Sequence, residues 1–302
     1  MIPLNATAET SSNLKERVRY ADFVSLMKLR LNSLVLGAVA AGYVLGKSGQ
    51  ISLSDLGLLL LGVTLTGGGS SAINMGLEGA RDRRMERTKN RPVASGRVLP
   101  LDAILFGSAT CALGLLIIFL SNTPLAGLLT LLTILLYVLV YTPLKPRTHL
   151  NTWVGAVPGA IPPLIGWAAA TGTLTPVSLS LFGIVFFWQF PHFFAIASVY
   201  RDDYARGGFA MLPVLDPSGL RTAHQVMMTS LAMLPVSLLP TLFRLAGSYY
   251  FVGALILSSL YLLFSLRASL LRQTDAWRDL LRVSLLVLPG LFVLLIADRL
   301  NS

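Results

Sequence analysis

Residues 101–142 read LDAILFGSATCALGLLIIFLSNTPLAGLLTLLTILLYVLVYT. Each of its two apolar runs approaches the roughly 20 residues that carry a helix through bilayer hydrocarbon. Only Ser121-Asn122-Thr123 separates them, and Asp102 is the one charged residue in the stretch. A helix satisfies its backbone hydrogen bonds internally, which a lipid environment demands, and so short a link forces antiparallel neighbours. The stretch reads as two membrane-crossing helices joined on the far side.

The same signal recurs outward in both directions. Spans are predicted at 31–47, 56–77, 101–121, 124–142, 151–171, 176–198, 225–244, 248–266 and 280–297. With 54% hydrophobic and 13% charged residues, the composition fits an all-α polytopic membrane protein. We expect nine transmembrane helices around a central cavity, with residues 1–25 as a polar cytoplasmic segment and 26–302 as one transmembrane domain. No cleavable signal is read, because no apolar run precedes Asp22. The single cysteine, Cys111, falls inside the third span, so it reads as a small core residue with neither a disulfide nor a metal-thiolate role.

The formal net charge of +10 might suggest nucleic acid, but its distribution points elsewhere. With the N-terminus inside, every lysine and arginine except Lys47, Arg244 and Arg299 falls on the cytoplasmic side. That asymmetry is the positive-inside rule, and nucleic acid is not an expected partner. The expected location is the inner (plasma) membrane, multi-pass, with the chemistry on the cytoplasmic face. The larger inner loops, 78–100 and 199–224, are the natural lids.

Residues 74–92, NMGLEGARDRRMERTKNRP, carry the strongest chemical signal. Asn74, Glu78 and Asp82 recur every four residues, so on a helix they form one polar stripe about 12 Å long. Oxygen ligands of this kind, followed at once by Arg83, Arg84, Arg87, Lys89 and Arg91, suit a hard divalent cation carrying a diphosphate. The competing reading is a basic loop that only orients the protein in its membrane.

Two further groups sit on the same side. Asp202 and Asp203 follow the run Phe187-Trp188-Gln189-Phe190-Pro191-His192-Phe193, in which Pro191 is expected to open the helix locally. Two acidic clusters facing each other across a helical cavity would hold one or two Mg²⁺ ions bridged to diphosphate oxygens. The alternative for the aspartates is a solvated loop start paired with Arg201 or Arg206, and for His192 a hydrogen bond between helices. Lys145 and Arg147, after the fourth span, would neutralise departing diphosphate or merely anchor the inner end. The run from Gly155 to Pro163 is rich in Gly, Ala and Pro and predicts a bent or broken helix.

These blocks together resemble the protoheme IX farnesyltransferase (heme O synthase) branch of the UbiA-type intramembrane prenyltransferases. Asn74, Glu78 and Asp82 resemble the family's Asn-x-x-x-Asp-x-x-x-Asp, and Met85-Glu86-Arg87-Thr88-Lys89-Asn90-Arg91-Pro92 resembles the branch's ending of that motif. Tyr141-Thr142, Leu144-Lys145, Arg147-Thr148 and Pro162 to Ala169 match as well. So do Trp188 to Phe193, Asp202-Asp203-Tyr204 and Met211-Leu212-Pro213-Val214, the most branch-specific blocks, and Lys28-Leu29-Arg30 resembles the family's Lys-Pro-Arg. The likeness runs in register from about residue 22 to 215.

The resemblance implies transfer of a farnesyl group from farnesyl diphosphate to a vinyl group of heme b, giving heme O, with Mg²⁺ assisting diphosphate departure. It implies Asn74, Glu78, Asp82, Asp202 and Asp203 as catalytic metal ligands. Arg30, Arg87, Arg91, Lys145 and Arg147 would bind diphosphate, and His192 or His149 would contact heme. The lipid bilayer is a further partner, and a heme A synthase is a candidate one. Two departures stand out: Glu78 where the branch usually has Asp, and Ala80 where a second acid is common. The alternatives are a UbiA-type enzyme with an aromatic or quinone-precursor acceptor, and a non-catalytic heme or lipid transporter.

Overall fold

The computed structural model describes residues 20–300, apart from the side chains of Arg30, Leu31 and Leu300. The diphosphate assignment of Arg30 and the segment 1–19 therefore lie outside what is described. The described residues form helices and connecting turns, with no strand among them.

In chain order the helices are α1 (Tyr20–Leu26), α2 (Leu29–Gly46), α3 (Leu53–Asp82), α4 (Pro100–Ser121) and α5 (Pro124–Leu135). A π-helical stretch, Leu136–Tyr141, and a last turn, Thr142–Leu144, continue α5. Then come α6 (Asn151–Ala160), α7 (Pro162–Thr171), α8 (Pro176–Val199), α9 (Arg201–Gly207), α10 (Leu212–Leu215), α11 (Leu220–Leu242), α12 (Ser248–Leu271) and α13 (Thr274–Leu300). Among the described residues, 8 helices are long and apolar enough to cross a membrane, α6 and α7 counting together as one. The expected span at 31–47 falls on α2, whose apolar part, Asn32–Gly46, is too short to count among these eight, so eight rather than nine such helices stand among the described residues.

Residue chemistry sets the helix boundaries. Thr123 and Thr175 cap α5 and α8, their hydroxyls accepting from Ala126 and Ser178 N–H, and Pro124 and Pro176 start the first turns. Ser178 Oγ in turn accepts from Thr175 N–H, completing a reciprocal cap. Gly172 ends α7 at φ 73°, a conformation that favours glycine.

The tightest pairing is α3 against α4, and glycines make it possible. A Cβ on Gly62 would lie 2.9 Å from the Gly114 carbonyl oxygen, one on Gly69 2.5 Å from that of Gly107, and one on Gly76 2.9 Å from that of Pro100. Positions seven apart on each helix thus meet in antiparallel register, two turns at a time. Lipid provides no hydrophobic drive between helices, so backbone-to-backbone van der Waals contact does the holding. This seam fixes α3 from Gly62 to Gly76, on the helix that carries the polar stripe. Cys111 lies in it, buried, with its thiol directed at the Thr66 carbonyl (3.4 Å).

The expected break near Pro162-Pro163 falls at Ile161, between α6 and α7. It lets α7 lie against α2, where Gly42 faces the Pro163 carbonyl and Gly166 that of Val39. α8, by contrast, runs unbroken through Pro191. The main apolar core gathers around α8, α11, α12 and α13, including Phe190, Phe194, Tyr250 and Tyr261.

Candidate active site

α3 extends five residues beyond the span expected from hydropathy, so Asn74, Glu78 and Asp82 stand on one unbroken helix. All three are buried, at 1%, 6% and 2% exposure. Ionisable groups so buried at the end of an apolar helix need partners, and each has one.

Thr142 fixes the orientation of Asn74. The Thr142 hydroxyl donates to the Tyr137 carbonyl (2.9 Å), so it has only lone pairs for Asn74, whose Nδ2 donates to it (3.2 Å). The amide oxygen of Asn74 faces away and accepts nothing among the described residues. The π-helical turn is responsible, because it brings the Thr142 backbone N–H to the same Tyr137 carbonyl, five residues back.

Glu78 meets Lys145, the first residue after α5. The ammonium lies 3.2 Å from Oε2, a hydrogen bond, and 2.9 Å from Oε1, too far off axis to be one. Oε1 is thus a sealed acceptor without a hydrogen bond. Lys145 also lies over the Tyr141 ring at 4.7 Å and the Phe209 ring at 5.9 Å. Burial works to lower its pKa, but Tyr141, Glu78 and Tyr137 outweigh burial and hold it above the ordinary lysine value. Asp82 accepts from Arg91 Nη1 at 2.7 Å.

Lys28 joins this group, although on sequence grounds only its neighbour Arg30 was assigned a role. It sits between α1 and α2 at φ 48°, ψ 44°, a strained conformation for a residue with a side chain. Burial, Arg91 and Lys145 push its pKa down to about 7, with Asp82 and Glu78 opposing. The signal lay in the KLR block before the first span. What hid it was the left-handed turn, which brings Lys28 within electrostatic range of Asp82 and Glu78.

Asp203 is occupied differently from the expectation. Its carboxylate accepts the backbone N–H of Glu86 (2.8 Å) and of Arg87 (3.0 Å) and pairs with Arg206. Burial would raise its pKa, but these two N–H groups and Arg206 outweigh it and hold the group below the usual carboxylate range. It clips the loop after α3 to α9. Arg81 adds a bond to the Gly208 carbonyl (3.2 Å), and Ala210 N–H donates to the Lys145 carbonyl (2.8 Å). Asn151 Nδ2 reaches the Ala210 carbonyl as well (3.1 Å). The two expected lids are therefore one interlocked cap, with Lys145 under it.

Of the remaining assigned residues, Asp202 and Arg87 line an open pocket of about 510 Å³ with Glu86, Tyr200 and Arg206. Asp203 also lines it, and none of Asn74, Glu78 and Asp82 does. Arg87 stacks over Tyr200 (5.3 Å) and Tyr204 (5.7 Å) there. Arg147 is exposed and His149 half-buried in the turn before α6. Among the described residues no three His, Cys, Asp or Glu side chains gather into a metal-binding group. The stripe's own donors, two carboxylates and an amide oxygen, are nevertheless hard ligands of the kind Mg²⁺ takes, since it needs only one or two carboxylates and keeps its waters. Glu78 Oε1, which accepts no hydrogen bond although the Lys145 ammonium lies 2.9 Å away, is consistent with that fit.

The model of the UbiA prenyltransferase family matches residues 35–288. The chain is 40% identical over 287 residues to the protoheme IX farnesyltransferase of Solibacter usitatus, covering 92% of this chain and 98% of that one. It is 37% identical to that of Myxococcus xanthus, covering 98% and 99%. Among solved structures, digeranylgeranylglyceryl phosphate synthase is similar in fold at TM-score 0.78 and 14% identity, covering 93% of this chain and 99% of that one. A UbiA homolog from Archaeoglobus fulgidus bound to GPP and Mg²⁺ matches at TM-score 0.62 and 17% identity, covering 91% and 99%.

Proposed function

We propose that this chain, which belongs to the UbiA prenyltransferase family, transfers a farnesyl group from farnesyl diphosphate to a vinyl group of protoheme IX, giving heme O. It is an integral, multi-pass membrane protein. The observation that carries the reading is the buried Asn74–Glu78–Asp82 stripe with Lys145 and Arg91 on its acids, in a chain alike over nearly its full length to protoheme IX farnesyltransferases.

In this reading Asn74, Glu78 and Asp82 hold Mg²⁺, which when bound supplies positive charge to diphosphate oxygens. Lys145 and Arg91, close to the acids, reach the same oxygens and stabilise the charge that develops as the carbon–oxygen bond breaks. The cap over Lys145 keeps bulk water from the allylic cation left behind. The vinyl carbon of the porphyrin attacks that cation, and a single water molecule admitted with the substrates adds to the resulting porphyrin-side cation, giving its proton to the departed diphosphate and completing the hydroxyethyl substituent. Asp203 serves the site as the cap's tether, while Asp202, Arg87 and Arg147 face the outer side, where anionic substrates arrive. We place that side in the cytoplasm and the chain in the inner membrane, following the lysine and arginine asymmetry. A heme A synthase that takes over the product belongs to the same proposal.

Incubating the purified protein with farnesyl diphosphate and either heme b or 4-hydroxybenzoate tests the acceptor. A farnesylated heme, seen by mass spectrometry, is the expected product. A prenylated benzoate without it would assign the aromatic acceptor instead.

A further inference from the structure

We infer that His192 is an axial ligand to the iron of the porphyrin substrate, through Nε2, and that Ser284 holds it in the ligating tautomer. The inference rests on the heme-farnesylation reading above.

The Ser284 hydroxyl donates its only hydrogen to the Leu281 carbonyl, one turn back on α13, at 2.6 Å. Its 2.7 Å contact with His192 Nδ1 must therefore be filled by an imidazole N–H. Nδ1 carries the proton, so in the neutral ring Nε2 is a bare lone pair. His192 is more than nine-tenths buried, and Nε2 has no hydrogen-bond partner among the described residues. It is not sealed either, because the sealed partnerless side-chain atoms are Tyr43 Oη, Glu78 Oε1 and Trp167 Nε1. Nε2 thus keeps some accessible surface and has no protein partner.

The ring is fixed from several directions. Trp188 lies parallel to it, 4.7 Å between centroids, and Phe193 meets it edge-on at 5.4 Å. Trp188 is pinned in turn, its Nε1 donating to the Ser284 carbonyl (2.8 Å) and its own carbonyl accepting from Tyr261 (2.8 Å). Three helices, α8, α12 and α13, so hold one imidazole in place. A histidine that only ties helices together gains by bonding both nitrogens. One whose Nδ1–H is anchored while Nε2 stays free has the arrangement of a metal ligand.

The surroundings select the metal's form. With no cluster of His, Cys, Asp or Glu among the described residues, a free transition ion would find one ligand here and leave. An iron porphyrin arrives with four nitrogens of its own and needs only an axial partner, which histidine commonly supplies. The bond forms between the Nε2 lone pair and the iron. No proton departs, because Nδ1 keeps its hydrogen on Ser284.

The test is ferric heme b titrated into the full-length protein in detergent, read by its Soret band and electron paramagnetic resonance. Wild type is expected to show imidazole ligation, lost in His192→Ala and regained with added imidazole. Ser284→Ala should keep the signature but bind heme about 10-fold or more weakly, as removal of an outer-shell partner does. A wild-type signature persisting in His192→Ala, or no recovery with imidazole, would overturn ligation. Unchanged affinity in Ser284→Ala would overturn the orienting role. If wild type produces farnesylated heme without any imidazole signature, this inference fails and the proposed function stands. If wild type produces none, the underlying reading fails.

Discussion

Replacing Asp203 with Asn separates a tether from a metal ligand. Asp203 accepts two backbone N–H bonds, from Glu86 at 2.8 Å and Arg87 at 3.0 Å, and pairs with Arg206 while only 5% exposed. Bonds to a charged acceptor contribute about 1.5–3 kcal/mol each, neutral ones about 1. The Asn amide oxygen can keep one N–H at neutral strength; its NH₂ end repels the other and offers nothing to Arg206. Half-exposed Arg206 adds little. The net loss for cap closure is about 2–5 kcal/mol, or roughly 30- to 5000-fold in the local opening equilibrium. Hydrogen exchange of segment 83–99, measured without Mg²⁺ and without substrate, reads this directly. The Glu86 and Arg87 amides should exchange faster by about that factor while α3 and α4 stay protected. Because the folded pKa of Asp203 is depressed, its contribution is complete above the unfolded value of about 3.9 and is lost only as pH falls through the lower folded value. Protection in wild type, corrected for intrinsic rates, should therefore hold from pH 8 to 5. Unchanged exchange in the metal-free variant, with a defect appearing only when Mg²⁺ is added, would refute the tether and return Asp203 to the metal.

Other substitutions probe the remaining parts. Lys145→Met should lower kcat by about 100- to 1000-fold, the cost of losing one preorganised charge at the departing group. It also strands the Glu78 carboxylate, so adding Glu78→Gln should restore thermal stability without restoring turnover. Gly107→Ala places a Cβ 2.5 Å from the Gly69 carbonyl oxygen and should destabilise by about 1–3 kcal/mol, seen as a lower melting temperature in detergent. A melting point equal to wild type would mean the α3–α4 seam is looser than described. Chelating divalent ions should stop diphosphate release while leaving helical circular dichroism unchanged, and adding Mg²⁺ should restore it. Release that persists under chelation would remove the metal from the mechanism.

The sequence by itself determined the class, most spans and the polar stripe on α3, because each depends on spacing along one segment. Twenty apolar residues must be helical in lipid, and residues four apart must share a helix side, wherever the rest of the chain lies. Asn74, Glu78 and Asp82 were legible for that reason, as was the break ahead of Pro162. The tertiary structure alone decided which charges serve the stripe. Among the expected cations, Lys145 and Arg91 meet it, Arg87 and Arg147 do not, and Lys28 arrives through a left-handed turn that composition does not reveal. Asp203 looked like a second acid for the metal because chain order cannot show that two amides 117 and 116 residues earlier fold back onto it. His192 is the same case: only α13, 92 residues on, supplies the hydroxyl that fixes its proton and leaves Nε2 free. Periodicity is a local property of a helix, whereas a carboxylate or an imidazole takes its role from whatever packing brings to it.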